Sequence, residues 1–396
     1  MAEQQRYRVL KRLAQGGMAE VFVAESAGIE GFKKQVAIKR VLPSLSKKEQ
    51  FIAMFLDEAR LSAQLSHSNV VSVFDIGVGD STYFIVMEYV DGADLKQVLE
   101  HQREVGVHVP VEVAAFIATK ICQGLSYAHE LAAPDGRPLN IVHRDITPAN
   151  ILITRHGEVK IVDFGLAKAS SQLADSDAGV IKGKFGYLAP ETVQGQPVDH
   201  RVDVFSVGII LWEMLAGRRL FLGETDYDTV MQVSAAQIPP LSSINPAVPP
   251  DLEAVVRAGL ARDPAERYQT ARDFGRDLTR FLYLHGSPVS EFDVADLVRS
   301  VIGSAPRAPR QPVDASERIS DLIDMMLLEF KSLPETAEEA QAGESGSDDA
   351  LSADFGDEGL MGGLADELEG PDPEPVEENV PKSGVAGWLS SLTRRG

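Results

Sequence analysis

The sequence predicts an α+β fold, with a small β-rich region followed by a larger helical region. Strand-like runs, either alternating or continuously apolar, occupy five stretches of the first 90 residues, at 6–13, 19–24, 35–41, 70–77 and 82–89. The chain then changes to helical periodicity over residues 94–285, seen most clearly at 111–130, 202–215 and 250–260. An apolar content of 44% is enough to fill a real core.

One helix interrupts the strands of the β-rich region. Between residues 50 and 65, apolar side chains recur at roughly helical spacing and form one stripe: Phe51, Met54, Phe55, Ala59, Leu61 and Leu65. The first region is therefore predicted to contain five strands and one main helix.

Negative charge is concentrated near the end of the chain. Residues 334–383 contain 16 Asp and Glu against one Lys, so −15 of the net charge of −21 lies there. This stretch is also rich in Gly, Pro and Ser and poor in apolar side chains, which predicts a disordered acidic linker. A chain this acidic is not expected to bind nucleic acid, because such binding needs a basic face.

The composition also limits where the protein can reside. No stretch approaches the ~20 uninterrupted apolar residues of a membrane-spanning helix, and the first residues lack the apolar core of a secretory signal. The single cysteine, Cys122, lies in an apolar helical stretch and is expected to be a small buried side chain. We therefore expect a cytoplasmic protein without a membrane span.

Three oxygen-bearing side chains lie on closely spaced loops between the two regions. Asp145 ends a His-Arg-Asp motif, Asn150 follows five residues later, and Asp163 opens an Asp-Phe-Gly motif. Two carboxylates and an amide suit a reaction that needs one proton acceptor and two oxygen ligands for Mg²⁺. Strand-like apolar runs at 151–153 and 159–162 separate the motifs.

These motifs, their order and their spacing resemble the catalytic and metal loops of eukaryotic-type protein kinases. The stretches GGMAEVF and GKFGYLAPE look like those of soluble bacterial serine/threonine kinases. The resemblance implies a bilobal protein-kinase-like fold over residues 8–282, with lobes at 8–90 and 91–282 and a cleft between them. It implies ATP-dependent transfer of the γ-phosphoryl group to Ser or Thr hydroxyls of protein substrates, and autophosphorylation. The alternative is a pseudokinase or scaffold that binds partners through the same fold and the acidic tail.

The resemblance assigns roles to five residues. Asp145 would accept the proton of the substrate hydroxyl, while Asn150 and Asp163 would bind Mg²⁺, with Mn²⁺ as the alternative metal. Lys39, in the Val-Ala-Ile-Lys strand, would bind the nucleotide phosphates. Its counter-charge would be Glu58; on spacing alone, Asp57 and Glu49 serve equally well.

An ATP pocket is implied by the same resemblance. The phosphate-covering loop keeps one glycine of the family pattern, Gly16, and has alanines at the two outer glycine positions, so we expect a stiffer loop and weaker nucleotide affinity. Met87 would guard the pocket behind the adenine. The residues implied to contact the nucleotide are Leu13, Ala14, Gly16, Gly17, Val21, Ala37, Lys39, Met87, Glu88, Val90 and Leu152.

The chain departs from the family pattern at two positions near Asp145. Serine/threonine kinases usually carry Lys two residues after the catalytic aspartate, where this chain has Thr147. They usually carry Thr after a glycine before the Ala-Pro-Glu segment, where this chain has Lys184. One hypothesis is a reciprocal exchange, in which Lys184 supplies the positive charge and Thr147 the hydroxyl. The other is that Thr147 is a loss and Lys184 faces solvent.

The segment between Asp163 and the Ala-Pro-Glu motif should be the activation loop. Arg144 usually indicates control by a phosphate on this loop. Two mechanisms are open: pairing of Arg144 with a built-in carboxylate, Asp175 or Asp177, or autophosphorylation of a serine. The candidate phosphosites are Ser170, Ser171 and Ser176, apart from Tyr187.

Beyond residue 285 the kinase resemblance ends. Residues 286–333 are predicted to be a helical extension, with an amphipathic helix at 316–333 that either packs back on the kinase or binds a second copy or a partner. After the acidic linker, residues 384–396 carry apolar side chains at i, i+3, i+4 and i+7. Their segment 385–395 is either a short docking helix or a frayed terminus.

Overall fold

A computed structural model describes most of the first 304 residues of the chain and one later strand. The described residues are 5–27, 33–79, 82–164, 184–285, 288–304 and, by backbone, 328–332. The chain divides into two units, residues 1–332 and 333–396, and every described residue belongs to the first. The predicted acidic linker and terminal docking helix therefore lie outside the described residues.

The small lobe is an antiparallel sheet with one long helix. Its strands follow the order β1-β2-β3-β5-β4. The elements are β1 (Gln5–Gln15), β2 (Ala19–Ala27), β3 (Lys33–Val41), α1 (Glu49–Ala63), β4 (Val73–Gly79) and β5 (Thr82–Glu88). The five-stranded lobe with one main helix, predicted from the sequence, is confirmed.

Alternation along β3 separates the lobe's core from its cleft face. Val36 and Ile38 belong to a buried cluster formed by β1, β2, β3 and β5. Ala37 lies in a different apolar cluster, together with Met87, and Lys39 is buried among charged partners. Successive side chains of a strand point to opposite faces, so the same strand supplies both the core and the cleft.

A sixth strand, β9 (Leu328–Ser332), joins this sheet from the far end of the described chain. It pairs antiparallel with β1 and with β4, and so closes the sheet into a barrel. The helix predicted for 316–333 is therefore wrong for these five residues, and residues 316–327 lie outside the described part. The sequence LEFKS also alternates apolar and polar residues. The open edges of β1 and β4, which residue spacing does not reveal, favour the strand.

The large lobe is mainly helical, with a second small sheet of order β6-β7-β8. Its elements are β6 (Gly92–Asp94), α2 (Leu95–Val105), α3 (Val111–His129), β7 (Ile151–Thr154), β8 (Val159–Ile161), α4 (Pro190–Val193), α5 (Arg201–Ala216), α6 (Asp226–Ala235), α7 (Pro250–Gly259), α8 (Ala271–His285) and α9 (Glu291–Ser304).

Helix α5 runs through the middle of the large lobe. Residues 202–216 are all buried, because other parts of the lobe surround this mostly apolar helix on every side. Beside it, α3 and α8 pack closely: a Cβ added at Gly275 would lie 2.9 Å from Cβ of Cys122. Cys122 is buried, as predicted.

Helix α9 packs against the large lobe although it follows the region of kinase resemblance. Val294 and Val298 are fully buried in the core of that lobe. At the N-terminal end of α9, a Cβ added to Gly157 would lie 1.8 Å from the carbonyl oxygen of Glu291, so only glycine fits there. Lys120 Nζ on α3 also lies 2.9 Å from Glu291 Oε1. Helix α9 is thus part of the folded unit.

Within the described ranges, no helix is both long enough and apolar enough to cross a lipid bilayer. The cytoplasmic location stays a prediction.

A buried ion pair joins the segment after the activation loop to the base of the large lobe. The guanidinium of Arg267 donates to both carboxylate oxygens of Glu191, at 2.9 and 3.2 Å. It also donates to the carbonyl oxygen of Arg201 at 2.7 Å and lies over the ring of Phe205. Glu191 and Arg267 thus form a bidentate, buried ion pair.

We expect Arg267→Ala to lower the free energy of unfolding by about 3–5 kcal/mol, because it leaves the Glu191 carboxylate buried without its partner. Chemical denaturation monitored by circular dichroism would measure the loss. The matched control is Arg272→Ala, which removes a solvent-exposed partner of Glu130 and should leave stability almost unchanged. Equal effects of the two variants would contradict the prediction.

Candidate active site

The predicted site residues come from four separate parts of the chain. Lys39 lies on β3 and Glu58 on α1, both in the small lobe. Asp145 and Asn150 lie between α3 and β7, and Asp163 follows β8. Lys39 contacts both Glu58 and Asp163, so the two lobes meet at this point.

A buried carboxylate fixes the backbone of the loop that carries Asp145. Asp203, at the start of α5, is fully buried. Its Oδ2 accepts from the backbone N–H of His143 at 2.8 Å, and its Oδ1 accepts from that of Arg144 at 2.7 Å. Oδ2 also lies 2.8 Å from Nε2 of His129. Asp203 thus caps the backbone of the catalytic loop.

Two residues of the site have left-handed backbone conformations. Arg144 has φ of 63° and Asp163 has φ of 65°. Such conformations are costly for side chains larger than glycine and persist only where the surroundings enforce them. The hydrogen bonds that Asp203 accepts from the backbone of His143 and Arg144 hold Arg144 in its left-handed conformation. Burial alone would raise the pKa of Asp203, but hydrogen bonds from His129 and His143 hold this pKa below its usual value.

Asp145 is in contact with two other predicted site residues. Asn150 Nδ2 donates to the Asp145 carbonyl oxygen at 2.8 Å and lies 3.3 Å from Asp145 Oδ2. Lys184 Nζ lies 2.8 Å from the same Oδ2. The Lys184 side chain is 40% exposed, whereas that of Asp145 is 8% exposed. Lys184 therefore reaches in from the cleft edge to the carboxylate and does not simply face solvent.

Thr147, the other residue of the predicted exchange, lies half-buried in the same loop. Its carbonyl oxygen accepts from the backbone N–H of Asn150 at 3.0 Å. No described residue forms a hydrogen bond with the Thr147 hydroxyl. Lys184, the charged residue of the proposed exchange, thus contacts Asp145. The role of the Thr147 hydroxyl stays a prediction.

Lys39 forms a buried triad with two carboxylates. Its Nζ lies 2.9 Å from Glu58 Oε1 and 2.8 Å from Asp163 Oδ1. The other predicted counter-charges do not take this place: Asp57 is exposed and lies 3.6 Å from Arg60. An ion pair between the β3 lysine and a helix carboxylate is one of the two conditions for an active kinase arrangement.

Burial and charge shift the pKa values of Lys39 and Glu58. Burial alone would lower the pKa of Lys39, but the carboxylates of Asp163 and Glu58 raise the pKa above its usual value, so the amine stays charged. Burial raises the pKa of Glu58 to about 7 against the opposing effect of Lys39. Glu58 Oε2 has no hydrogen-bond partner among the described residues.

Two side-chain oxygens suited to a metal ion accept no hydrogen bond from the described residues. They are Oδ1 of Asn150, whose Nδ2 donates to Asp145, and Oδ2 of Asp163, whose Oδ1 accepts from Lys39. The backbone N–H of Val162 donates to the carbonyl oxygen of Asn150 at 3.0 Å, which keeps the two loops adjacent. One carboxylate, one amide and substrate phosphates form a donor set that fits Mg²⁺.

The residues predicted to surround the adenine form one apolar cluster between the lobes. Its buried members are Ala37, Val71 and Met87. Residues packed against them include Val21, Val90 and Leu152, so the cluster draws on both lobes. A small cavity lies behind Met87 and is lined by Lys39, Glu58, Ile85 and Phe164, among others. This is where Met87 was expected to guard a pocket.

The phosphate-covering loop joins β1 to β2. The backbone N–H of Gly16 donates to the carbonyl oxygen of Ala19 at 2.8 Å and closes a tight turn. Leu13 and Ala14, at the end of β1, and Gly17, in the turn itself, are exposed. The expected stiffness of the loop stays a prediction.

Sequence reasoning missed Lys160, which braces the segment between the lobes. It lies on β8 and is buried. Its Nζ lies 2.9 Å from Oε1 of Glu88, a predicted adenine-contacting residue, and donates to the carbonyl oxygen of Ser68 at 3.1 Å. A lysine inside an apolar strand of the sequence was the available signal.

Only one of the predicted phosphosite candidates is described. The Tyr187 hydroxyl is buried and donates to Glu213 Oε2 at 2.8 Å, while Arg219 lies over its ring. It is therefore a structural residue. The serines Ser170, Ser171 and Ser176 and the carboxylates predicted to pair with Arg144 lie outside the described residues.

Comparison with known proteins gives the family. A family model described as the protein kinase domain matches residues 7–277. The chain belongs to the protein kinase family. The kinase domain of Mycobacterium tuberculosis PknI, a solved structure, is 27% identical to this kinase with a TM-score of 0.51. That similarity covers 69% of this kinase and 95% of the other chain. The bilobal protein-kinase-like fold predicted from the sequence is confirmed.

The relatives of this kinase include bacterial kinases of two named specificities. It is 40% identical over 279 residues to the tyrosine-protein kinase MasK of Myxococcus xanthus. It is 36% identical over 273 residues to the serine/threonine-protein kinase PrkC of Bacillus subtilis. The matches cover 70% and 69% of this kinase, but only 43% and 40% of the relatives. The chain thus spans less than half the length of these relatives.

We expect Lys184→Ala to lower turnover by about 10²–10³-fold, the usual cost of removing one charged or polar group that faces developing negative charge. Steady-state phosphorylation of a generic protein substrate at saturating ATP would measure it. Lys96→Ala is the matched control, since Lys96 is an exposed lysine whose partner, Glu100, lies on the same helix.

The reciprocal exchange itself is tested by a double variant. Thr147→Lys with Lys184→Thr restores the pattern usual in serine/threonine kinases and should recover part of the activity that Lys184→Thr alone loses. Turnover of Lys184→Ala within a few-fold of the parent protein would show that Lys184 is not needed.

We expect nucleotide affinity to fall as the pH is lowered from 8 to 6. Because the pKa of Glu58 is about 7, its ionised fraction falls about tenfold over this range, and the ionised form is the one that pairs with Lys39. Fluorescence titration with an ATP analogue at several pH values would follow the change. Glu58→Gln should bind more weakly and lose most of the pH dependence; the same dependence in this variant would assign it to another group.

Proposed function

We propose that this kinase transfers the γ-phosphoryl group of ATP to serine or threonine hydroxyls of protein substrates, and that it autophosphorylates and acts in signalling. One observation carries the proposal: Asp145, Asn150 and Lys184 are in contact beside a buried triad of Lys39, Glu58 and Asp163. This arrangement combines a proton acceptor, two oxygen donors for a metal and charged groups for phosphate.

Asp145 is the proposed proton acceptor. Its carboxylate is nearly buried, and Asn150 and the Asp203-held loop backbone fix its position. A fixed carboxylate can orient a substrate hydroxyl for in-line attack, and orientation supplies much of the rate enhancement in phosphoryl transfer. Lys184, beside it, would stabilise the charge that develops on the transferred group.

ATP and Mg²⁺, or Mn²⁺ as the alternative, are the proposed ligands of the cleft. Asp163 and Asn150 would hold the metal, which neutralises negative charge on phosphate oxygens when bound. Lys39 would bind the phosphates, held in place by Glu58. The apolar cluster that contains Ala37, Met87 and Leu152 would bind the adenine ring, with the backbone of Glu88 and Val90 along its edge.

The preference for serine or threonine is the finer part of the proposal. The loop Thr-Pro-Ala-Asn at residues 147–150 is closer to the serine/threonine pattern than to the tyrosine pattern, which has Arg and Ala near the asparagine. Relatives such as PrkC are named serine/threonine kinases, whereas MasK is named a tyrosine kinase. Which amino acid is phosphorylated therefore needs a direct measurement.

The test is incorporation of labelled phosphate from Mg-ATP into the purified protein and into a generic protein substrate, followed by phosphoamino acid analysis. We expect phosphoserine or phosphothreonine. Asp163→Ala is the control and should lower incorporation by several orders of magnitude, because it removes both the metal ligand and a partner of Lys39. Phosphotyrosine as the main product would overturn the preference, although not the kinase activity.

The alternative of a pseudokinase or scaffold is not supported. A binding-only protein on this fold has no need of the complete set of these residues, with Lys39 paired to Glu58 and Asp163 and with Asn150 bonded to Asp145. Incorporation no greater in the parent protein than in Asp163→Ala would revive this alternative. A partner or dimer interface through 316–333 or 385–395 stays a prediction, and the strand at Leu328–Ser332 occupies part of the first of these segments.

A further inference from the structure

The described chain after the kinase domain touches both lobes. Helix α9 packs on the large lobe, where its Val294 and Val298 are buried in the core. Strand β9 joins the sheet of the small lobe. One segment, residues 288–332, thus has an anchor on each side of the ATP cleft.

The pairing of β9 is two-sided. On one side, Leu328, Glu329 and Phe330 pair with Tyr7, Arg6 and Gln5 of β1. On the other side, Lys331 and Ser332 pair with Val78 and Gly77 of β4. Strands β1 and β4 each have one other neighbour, β2 and β5 respectively. Without β9, both would be edge strands with a row of unpaired backbone groups, which tend to pair with other chains.

The two anchors belong to one chain. Residues 305–327 separate them by 23 positions, and a chain of that length spans at most about 75 Å. Because α9 and β9 are joined covalently, the strand meets its groove as an intramolecular partner, which favours an interaction of five residues that would be weak between separate molecules.

The groove lies on strands that lead into the nucleotide site. Strand β1 continues into the phosphate-covering loop at Gly16. Strand β4 pairs with β5, which carries Met87 and ends at Glu88. The sheet edges that β9 covers are thus continuous with the strands that are predicted to cover and line the ATP pocket.

We propose that Leu328–Ser332 is a docking strand for the groove between β1 and β4 of its own small lobe. Its binding holds this lobe in the arrangement that binds nucleotide, and its release weakens nucleotide binding. The docking itself is independent of catalysis, whereas the effect on nucleotide rests on the proposed function.

The test uses the full chain with two proline substitutions, Phe330→Pro and Lys331→Pro. Phe330 pairs with Gln5 of β1 and Lys331 with Val78 of β4, and proline has no N–H and a fixed φ, so the double variant disturbs the strand on both sides. The matched control is Glu338→Pro with Glu339→Pro, outside the strand. Hydrogen exchange measured by mass spectrometry would follow peptides that contain Gln5–Tyr7 and Gly77–Val78.

We expect exchange in these two peptides to become at least tenfold faster in the strand variant and to stay unchanged in the control. Peptides from α5 should keep their protection in both, which shows that the fold is intact. Affinity for an ATP analogue should fall several-fold in the strand variant only. Hydrogen exchange can also be measured in an Asp163→Ala background, where phosphorylation cannot alter the result.

Unchanged exchange in the β1 and β4 peptides would overturn the docking. Faster exchange with unchanged nucleotide affinity would retain the docking and overturn its link to the cleft. Protection that depends on protein concentration, with a dimer in size-exclusion chromatography, would show that the strand of a second copy fills the groove and would overturn docking within one chain. Absence of nucleotide binding by the parent protein would instead count against the proposed function.

Discussion

The arrangement of the cleft depends on one buried amine between two carboxylates. Lys39 comes from the small-lobe sheet, Glu58 from its helix, and Asp163 from the loop after β8. A buried ammonium without a partner costs several kcal/mol, so neither lobe can move far from the other without exposing or neutralising it. The triad thereby couples the position of α1, the direction of the Asp163 side chain and the closure of the lobes.

A second set of contacts fixes the chemistry to the large lobe. Asp203 holds the loop backbone through hydrogen bonds at 2.7 and 2.8 Å, and this permits the left-handed conformation of Arg144 immediately before Asp145. The strained backbone next to the reacting residue is thus stabilised by the Asp203 carboxylate. Among the described residues, Lys184, on the activation segment, is the charged side chain that forms an ion pair with Asp145.

Much of this could be predicted from the sequence, because the deciding patterns are local. Lys39, Asp145, Asn150 and Asp163 each stand in a short motif, and the motifs occur in a fixed order along the chain. Strand β9 could not be predicted, because its conformation is decided by the edges of β1 and β4, more than 240 residues away in sequence. A five-residue apolar pattern fits a helix and a strand almost equally.

Lys160 shows a different limit. The sequence marked it as one residue of an apolar strand, but its partners, Glu88 and Ser68, lie on two other segments and are close only after folding. The same holds for α9, whose burial against the large lobe has no motif. Long-range contacts of this kind leave only a weak trace in residue order, even where local motifs are complete.

The close approach of Gly157 to Glu291 has a practical consequence for anyone who shortens this protein. The family match stops at residue 277, inside α8 and before α9. A fragment that ends there would lack α9 and would expose the apolar surface against which Val294 and Val298 pack. We expect such a fragment to aggregate and to be difficult to purify. Low activity of the fragment would therefore not measure the activity of the intact protein. The natural stopping point lies after Ser304, and for an intact small lobe after Ser332.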